Sequence, residues 1–380
     1  VVAALPAAFL AGSFVYCGMS MVAAWKYSRQ RIPEAVPQRI PISMLKPLHG
    51  LDEGLEENLR SFFAQPYTHP DGTPAFEILF ATRDADDPAI EVVERLRAEF
   101  PRVPVSRLVT GEPPYPNAKV YSLALMSEAA RHEVLAMADS DVRVDRGFLE
   151  TVGREFTHPS LGMATCPYRA IAGNSVWSTL EALHMNTEFL GGVLTARMLE
   201  GVRFALGPTI VARKQVLAAI GGFDELQEFL AEDFVMGNRA AALGHGVILS
   251  RYVIEHRIGS QDLRHSLAHR LRWARSTRRS RPAGYFGEIF LRPLALALVL
   301  VAVAPALWPA LPVTLALRYL QAAVMRRTVD ARFGWKHWLL LPAQDLLSFG
   351  LWAAGFFGNS IHWRGRRYRL EKDGRFTLVR

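Results

Sequence analysis

The sequence predicts an α/β chain with a mostly parallel, mixed sheet of the Rossmann type, flanked by membrane-spanning helices. Three observations predict it. Short β-rich runs alternate with helical patterns between about residues 40 and 257, uncharged stretches lie near both ends, and one apolar strand runs into Asp139-Ser140-Asp141. An order of strand, helix, strand argues for parallel strands covered by helices.

Residues 1–25, Val1 to Trp25, carry no charge. As a helix they would span roughly 37 Å, more than the roughly 30 Å hydrocarbon core of a bilayer. Lys26, Arg29 and Arg31 follow at once. A signal peptide would show a basic start, a shorter apolar core and a small-residue cleavage site, so a retained anchor is expected. The basic linker, 26–40, then faces the cytoplasm.

Residues 41–257 form the expected α/β domain. Ile42 to Leu48, Phe76 to Ala81, Val103 to Val109 and Val134 to Ala138 read as strands, with helices at Ala89 to Phe100 and Ala118 to Ala130. A strand at Leu161 to Pro167, a long helix from Asn174 to Leu199, a strand around Phe204 to Val211 and a helix from Ala231 to Leu243 follow. Gly244 is a natural stop for the last of these. The first strand is not followed by G-x-G-x-x-G, which disfavours dinucleotide binding.

A basic helix and interfacial segment is expected over 258–290, a spanning segment or helical hairpin over 291–325, a basic loop over 326–337, a spanning or re-entrant segment over 338–358 and a basic tail over 359–380. Residues 293–317 are uncharged, with Pro305, Pro309 and Pro312 placed to break them. Arg318, Arg326, Arg327 and Arg332, and then Arg364, Arg366, Arg367 and Arg369, read as basic flanks, both drawn to the cytoplasm. A hairpin satisfies the first flank. The last stretch then crosses to the wrong side, unless it is re-entrant or lies along the interface.

The net charge of +8 over 380 residues invites a nucleic-acid reading, but the basic residues crowd beside apolar segments and form no recognised nucleic-acid module. Attraction to anionic membrane lipid is the simpler account. Cys17 in the anchor and Cys166 in a strand build neither a disulfide framework nor a zinc cluster.

The candidate site residues fall at the carboxyl edge of the expected sheet, where open α/β folds bind ligands. Asp139 and Asp141 suit Mg2+ or Mn2+ carrying phosphates, because these ions share one or two carboxylates with their substrate; Asp and Ser are also common at a solvated strand-to-turn junction. After the second strand, Asp87 precedes a proline and suits a helix cap, while Asp84 is the better ligand. Asp233, in Glu232-Asp233, opens a helix whose dipole would keep it ionised at neutral pH, ready to act as a general base. The run from Arg264 to Arg281 contains no acid. A solvated or lipid-facing helix explains most of its arginines; within it, Arg272 can clamp phosphate and Trp273 offers a flat apolar wall. His265 and His269 share a helix face but lack a third metal partner.

In this order, Asp84, Asp139-Ser140-Asp141, Glu232-Asp233 and Arg272-Trp273 resemble the D, DxD, D, (Q/R)xxRW series of inverting family-2-like glycosyltransferases with a GT-A nucleotide-sugar-binding domain. Within that group the chain looks like the ceramide glucosyltransferase family in its bacterial form. Lys46-Pro47-Leu48-His49-Gly50, Asn117-Ala118-Lys119 and Trp363-Arg364-Gly365-Arg366-Arg367-Tyr368-Arg369-Leu370 carry the narrower match. His269 stands where the family has Gln or Arg.

The resemblance implies transfer of glucose from UDP-glucose to the primary hydroxyl of ceramide at the cytoplasmic face of a bacterial inner membrane. Asp84 would contact the nucleoside, Asp139 and Asp141 would hold the diphosphate and its Mg2+ or Mn2+, and Asp233 would be the base. Arg272 and Trp273 would close over the pyrophosphate and acceptor, with Lys46 and Lys119 near the nucleotide. The runner-up is transfer of galactose, glucuronic acid or an N-acetylhexosamine to another lipid such as a hopanoid polyol. A different class is a non-catalytic membrane protein whose basic helix binds lipids.

Overall fold

The computed structural model describes residues 3–34, 39–363 and 366–379. Part of the linker, and Arg364 and Gly365 of the terminal motif, lie outside the described residues. The chain forms an α/β unit, residues 31–168 and 202–259, and a helical unit, residues 1–30, 169–201 and 260–380.

The N-terminal apolar stretch is helix α1 (Ala4–Ser28). Among the described residues it is the single helix long and apolar enough to be a candidate membrane span; the pair Pro282–Leu291 and Pro293–Val303, bent by 68°, passes only when joined.

The α/β unit follows as β1 (Ile42–Pro47), α2 (Leu55–Phe63), β2 (Phe76–Thr82), α3 (Ala89–Glu99), β3 (Val105–Val109), α4 (Ala118–Ala129), β4 (Val134–Ala138), β5 (Val142–Arg143), α5 (Phe148–Glu155) and β6 (Leu161–Thr165). The chain leaves through β7 (Tyr168–Ala172), α6 (Val176–His184), a π turn (Met185–Phe189) and α7 (Leu190–Glu200). It returns as β8 (Thr209–Arg213), α8 (Lys214–Ala219), α9 (Glu232–Ala242), β9 (Gly246–Leu249) and β10 (Ile254–Gly259). The large sheet has the order β3-β2-β1-β4-β8-β6-β9. Only β8 runs against its neighbours in that sheet.

Strands β1, β2 and β4 are apolar along most of their length because helices cover both faces, and β4 is buried throughout. Leu45, Leu79, Leu135 and Ile210 of the sheet pack with Val120, Leu123 and Met126 of α4 and Met236 of α9. Each such side chain contributes roughly 1.5–3 kcal/mol of burial. Helix α4 begins at Ala118 because Asn117 Oδ1 accepts from Val120 N at 3.2 Å.

In the helical unit, the helix expected from Asn174 to Leu199 starts later, where Ser175 Oγ accepts from Ser178 N at 3.1 Å, and is interrupted by the π turn. The extra residue in that turn places Thr187 and Glu188 inward. Helices α10 (Leu263–Ser280), α11 (Pro282–Gly287), α12 (Pro293–Val303), α13 (Ala310–Thr328) and α14 (Trp335–Gly355) complete the bundle. The segment expected over 293–317 is broken between Val303 and Ala310, around Pro305 and Pro309. The tail is not merely a basic tail. It forms an antiparallel sheet of β11 (Ser360–Trp363), β12 (Arg366–Leu370) and β13 (Phe376–Leu378) that buries Ile361, Tyr368, Leu370 and Phe376.

Two readings of the basic residues are corrected. Arg318 is no flank: it is 2% exposed and holds both oxygens of Asp345 at 2.9–3.1 Å. Arg275 and Arg278 of the basic helix are not lipid-facing. They donate to the carbonyls of Phe356, Phe357, Gly358 and Ser360, bracing the segment between α14 and the tail.

Candidate active site

The Asp139-Ser140-Asp141 turn leaves β4 at the sheet edge where β8 enters, since Ala138 pairs with Thr209 in antiparallel register. The turn is tied down on every side. Asp139 N donates to Pro208 O at 3.1 Å, Asn58 Nδ2 to Ser140 O at 3.2 Å, and Arg257 N to Asp141 O at 2.8 Å. Ser140 Oγ donates to Asp52. Such a turn reaches its ligand already ordered.

Lys46 lies beneath it with no exposure at all. Its Nζ donates to Asp139 O at 2.5 Å and sits 3.9 Å from the centre of the Phe62 ring. Burial pulls its pKa down to about 7, against the attraction of Asp139 and Asp141. The structure therefore gives Lys46 a supporting place under the acids rather than an open one.

Lys119, in the first turn of α4, reaches the same edge. Its Nζ lies 2.7 Å from Asp139 Oδ1, 3.4 Å from Glu232 Oε1 and 3.2 Å from Gly207 O. Burial disfavours its charge, but Asp139 and Glu232 outweigh that and hold it above the ordinary lysine value.

Asp233 arrives from the start of α9, whose close packing depends on Gly237. A Cβ there would stand 2.2 Å from the carbonyl carbon of Phe204. One turn earlier, Asp233 Oδ2 is only 3.0 Å from where a Cβ on Gly207 would lie, and Asp233 Oδ1 accepts from Phe234 N at 2.8 Å. The expectation that the helix dipole keeps Asp233 ionised fails. Burial, followed by repulsion from Glu232, pushes its pKa up to about 7, so an uncharged acid and a carboxylate are both populated at neutral pH.

Asp141 meets a partner that the sequence reading missed. His256 Nε2, on β10, lies 3.3 Å from Asp141 Oδ2. Burial would raise the Asp141 pKa, yet His256 and the two lysines hold it below the ordinary carboxylate value. Strand β10 reaches the turn because it pairs antiparallel with β5, directly after the acids, through His256 opposite Val142. Nothing local marks this pairing, since the partner strand β5 is two residues long and carries no periodic signal.

Asp84 is exposed on the loop leaving β2, its carbonyl accepting from Thr82 Oγ1 at 3.0 Å. Asp87 is buried and structural: it accepts from Gly50 N at 3.1 Å and Ala89 N at 2.9 Å.

Asp139, Asp141, Glu232 and Asp233 thus face Lys46 and Lys119, an excess of acid that favours a cation. Asp141 Oδ1 is buried without a hydrogen-bond partner, which suits a metal ligand. Among the described residues no three His, Cys, Asp or Glu side chains form a metal cage. An ion carrying a diphosphate needs only one or two carboxylates, its remaining ligands being phosphate and water.

Arg272 and Trp273 belong to the helical unit, both half-buried on α10. His269 does not pair with His265 over a metal; its Nδ1 lies 2.8 Å from Glu181 Oε1. Arg270 points inward, donating to Gln344 Oε1 at 3.1 Å and Ser348 Oγ at 3.2 Å.

A model of glycosyl transferase family 21 matches residues 5–376. Ceramide glucosyltransferase 1 of Caenorhabditis elegans is 29% identical over 237 residues, 61% of this chain and 49% of that protein. Ceramide glucosyltransferase 3 of the same organism is 25% identical over 268 residues, 69% of this chain and 57% of that protein. The chain therefore spans about half the length of these curated relatives. Among solved structures, the mannosyltransferase PcManGT from Pyrobaculum calidifontis, in complex with GDP-Man and Mn2+, is similar with a TM-score of 0.54 at 15% identity, covering 94% of this chain and 99% of that one. That likeness shows a shared fold of the GT-A glycosyltransferase type, in agreement with the mixed sheet described above. The match along nearly the whole chain settles its kinship: it belongs to glycosyl transferase family 21.

Proposed function

We propose that this chain is an inverting hexosyltransferase that moves glucose from UDP-glucose to the primary hydroxyl of ceramide, giving β-glucosylceramide. The carrying observation is the gathering of acids at one sheet edge: Lys119 bridges Asp139, Glu232 and the carbonyl of Gly207, and Asp233 packs against Gly207, where burial and Glu232 push its pKa up to about 7. A base poised near the working pH suits deprotonation of an alcohol. Membership of family 21 and ceramide glucosyltransferase relatives support the donor and acceptor.

The acceptor oxygen forms a bond to the anomeric carbon as the bond from that carbon to the UDP oxygen breaks. Its proton passes to an Asp233 carboxylate oxygen. Attack from the face opposite the leaving group turns an α-linked donor into a β-glycoside, through a cation-like anomeric centre as in glycoside hydrolysis. Asp141, with His256 beside it and Asp139 next in line, would hold Mg2+ or Mn2+; PcManGT carries Mn2+ with its own nucleotide sugar. When bound, such an ion offsets the charge that develops on the departing diphosphate. Lys119 keeps Asp139 in place, Lys46 supports the turn from below, and Asp84 is assigned to the nucleoside. By residue type, Arg272 is assigned to the pyrophosphate and Trp273 to the acceptor. A site serving a membrane lipid, α1 as an anchor and a cytoplasmic catalytic face at a bacterial inner membrane form one consistent reading.

The test is UDP release and lipid mass spectrometry with purified protein, UDP-glucose, Mn2+ and ceramide, against UDP-galactose, UDP-N-acetylglucosamine and a hopanoid polyol. Product with ceramide and UDP-glucose above an Asp233→Asn control is expected. A preference for another pair would reassign donor or acceptor, and no UDP release with any pair would end the enzymatic reading.

A further inference from the structure

Glu181 of α6 has 1% of its side chain exposed, and both oxygens are engaged by α10. His269 Nδ1 lies 2.8 Å from Oε1, and Ser266 Oγ donates to Oε2 at 3.2 Å. A buried carboxylate is costly without partners, so this pairing constrains the imidazole, turning Nδ1 toward Glu181 and Nε2 to the opposite edge of the ring. One turn further along the same face, the Trp273 indole packs on that ring, with centroids 4.8 Å apart. Phe189, at the end of the π turn, approaches the indole at 6.4 Å. The chain of contacts runs from a buried acid through His269 to the one aromatic side chain that the proposed reaction assigns to the acceptor.

We propose that Glu181 and His269 are positioning residues for glycosyl transfer: the carboxylate fixes the imidazole, and the imidazole fixes the Trp273 indole as the wall against which the lipid acceptor docks. This rests on the acceptor role given to Trp273 above. His269, the residue that departs from the (Q/R)xxRW pattern, thereby gains a function of its own. An amide at the same position could also donate to Glu181, so glutamine should replace it in part. An aliphatic residue could not.

The experiment uses the full chain in lipid nanodiscs, labelled with 5-fluorotryptophan, with the Trp273 resonance assigned through Trp273→Phe. His269→Ala and Glu181→Gln are expected to shift or broaden that resonance. With UDP-glucose and ceramide they should lower kcat at least tenfold and raise the acceptor KM, leaving the donor KM within twofold. His269→Ala added to Trp273→Ala should cost nothing further, and His269→Gln should restore a third or more of the rate. An unmoved resonance in properly folded variants, or losses that multiply in the double variant, would overturn the proposal and leave the pair as a contact between two helices. The resonance arm is independent of the acceptor. A wild type without transfer whose Trp273 signal still responds to Glu181→Gln would reject the ceramide reading and keep the positioning pair.

Discussion

Lys119 and Asp139 form a 2.7 Å ion pair that joins the first turn of α4 to the end of β4, and the same ammonium leans on Glu232 at 3.4 Å. A single cation therefore connects the Asp-x-Asp turn to the helix that presents Asp233. The two side chains are only half-buried, so removing one partner costs roughly 1–2 kcal/mol, between the values for an exposed and a fully buried pair. Lys119→Met is expected to lower the melting temperature in detergent by several degrees, and adding Asp139→Asn should recover part of that loss. Equal melting of wild type and Lys119→Met would show that the pair carries no stability.

Asp233 makes a pH prediction with opposite signs for rate and stability. As a base it acts ionised, so the transfer rate should climb through about pH 7 and fall toward tenfold per unit on the acid side. Asp233→Asn should remove that limb and at least about a hundredfold of rate. The folded pKa is raised above the unfolded value, so the native state binds the extra proton; stability is highest below about pH 4 and is lost as pH rises through about 7. The inactive Asp233→Asn variant should thus melt higher than wild type at pH 8, the gap closing as the pH approaches 4. A gap independent of pH would place the origin of the effect elsewhere.

The α/β core was legible because its periodicity is local. Strand β4 and helices α3 and α4 lie within a residue or two of their sequence-based limits, since apolar runs and capping residues act over a few positions. The places of Asp139, Asp141 and Asp233 in the fold were legible the same way, as acids at a strand end and a helix start. What escaped depends on contacts distant in sequence. His256 faces Asp141 from a strand more than a hundred residues later, and Arg318 reads as a basic flank until Asp345 is seen to close on it. The Asp233 pKa was misjudged because the dipole is visible in sequence, whereas burial and the field of Glu232 combine through the packed site.

The orphaned oxygen of Asp141 predicts where metal dependence resides. Asp141→Ala should raise the Mn2+ concentration for half-maximal UDP release beyond the range in which wild type is saturated. His256→Gln, altering the neighbour of that carboxylate, should raise it by roughly 10–100-fold, the usual effect of a group that orients a ligand. Calorimetric titration of Mn2+ in the presence of UDP reports the same ranking without turnover. Unchanged metal titrations in both variants would move the cation away from this turn.

Arg318 and Asp345 decide what the buried charges of the helical unit contribute. Arg318 donates to Asp345 from Nε and Nη2, to Thr187 Oγ1 at 2.9 Å and to Gln321 Oε1 at 3.2 Å, and it lies 3.6 Å from Glu188. Glu188 has a second cation, Arg292, so loss of Arg318 leaves Asp345 the more exposed to an unmet charge. Taking charges out of water is expensive, and the attraction between them about offsets that cost, so breaking such a pair loses roughly 3–5 kcal/mol while replacing both halves can be neutral. Arg318→Met is therefore expected to unfold at markedly lower temperature, and Arg318→Met with Asp345→Leu to regain most of the difference. If single and double variants melt together, the stabilising element is the packing of the arginine stem and its bonds to Thr187 and Gln321, which both variants lose.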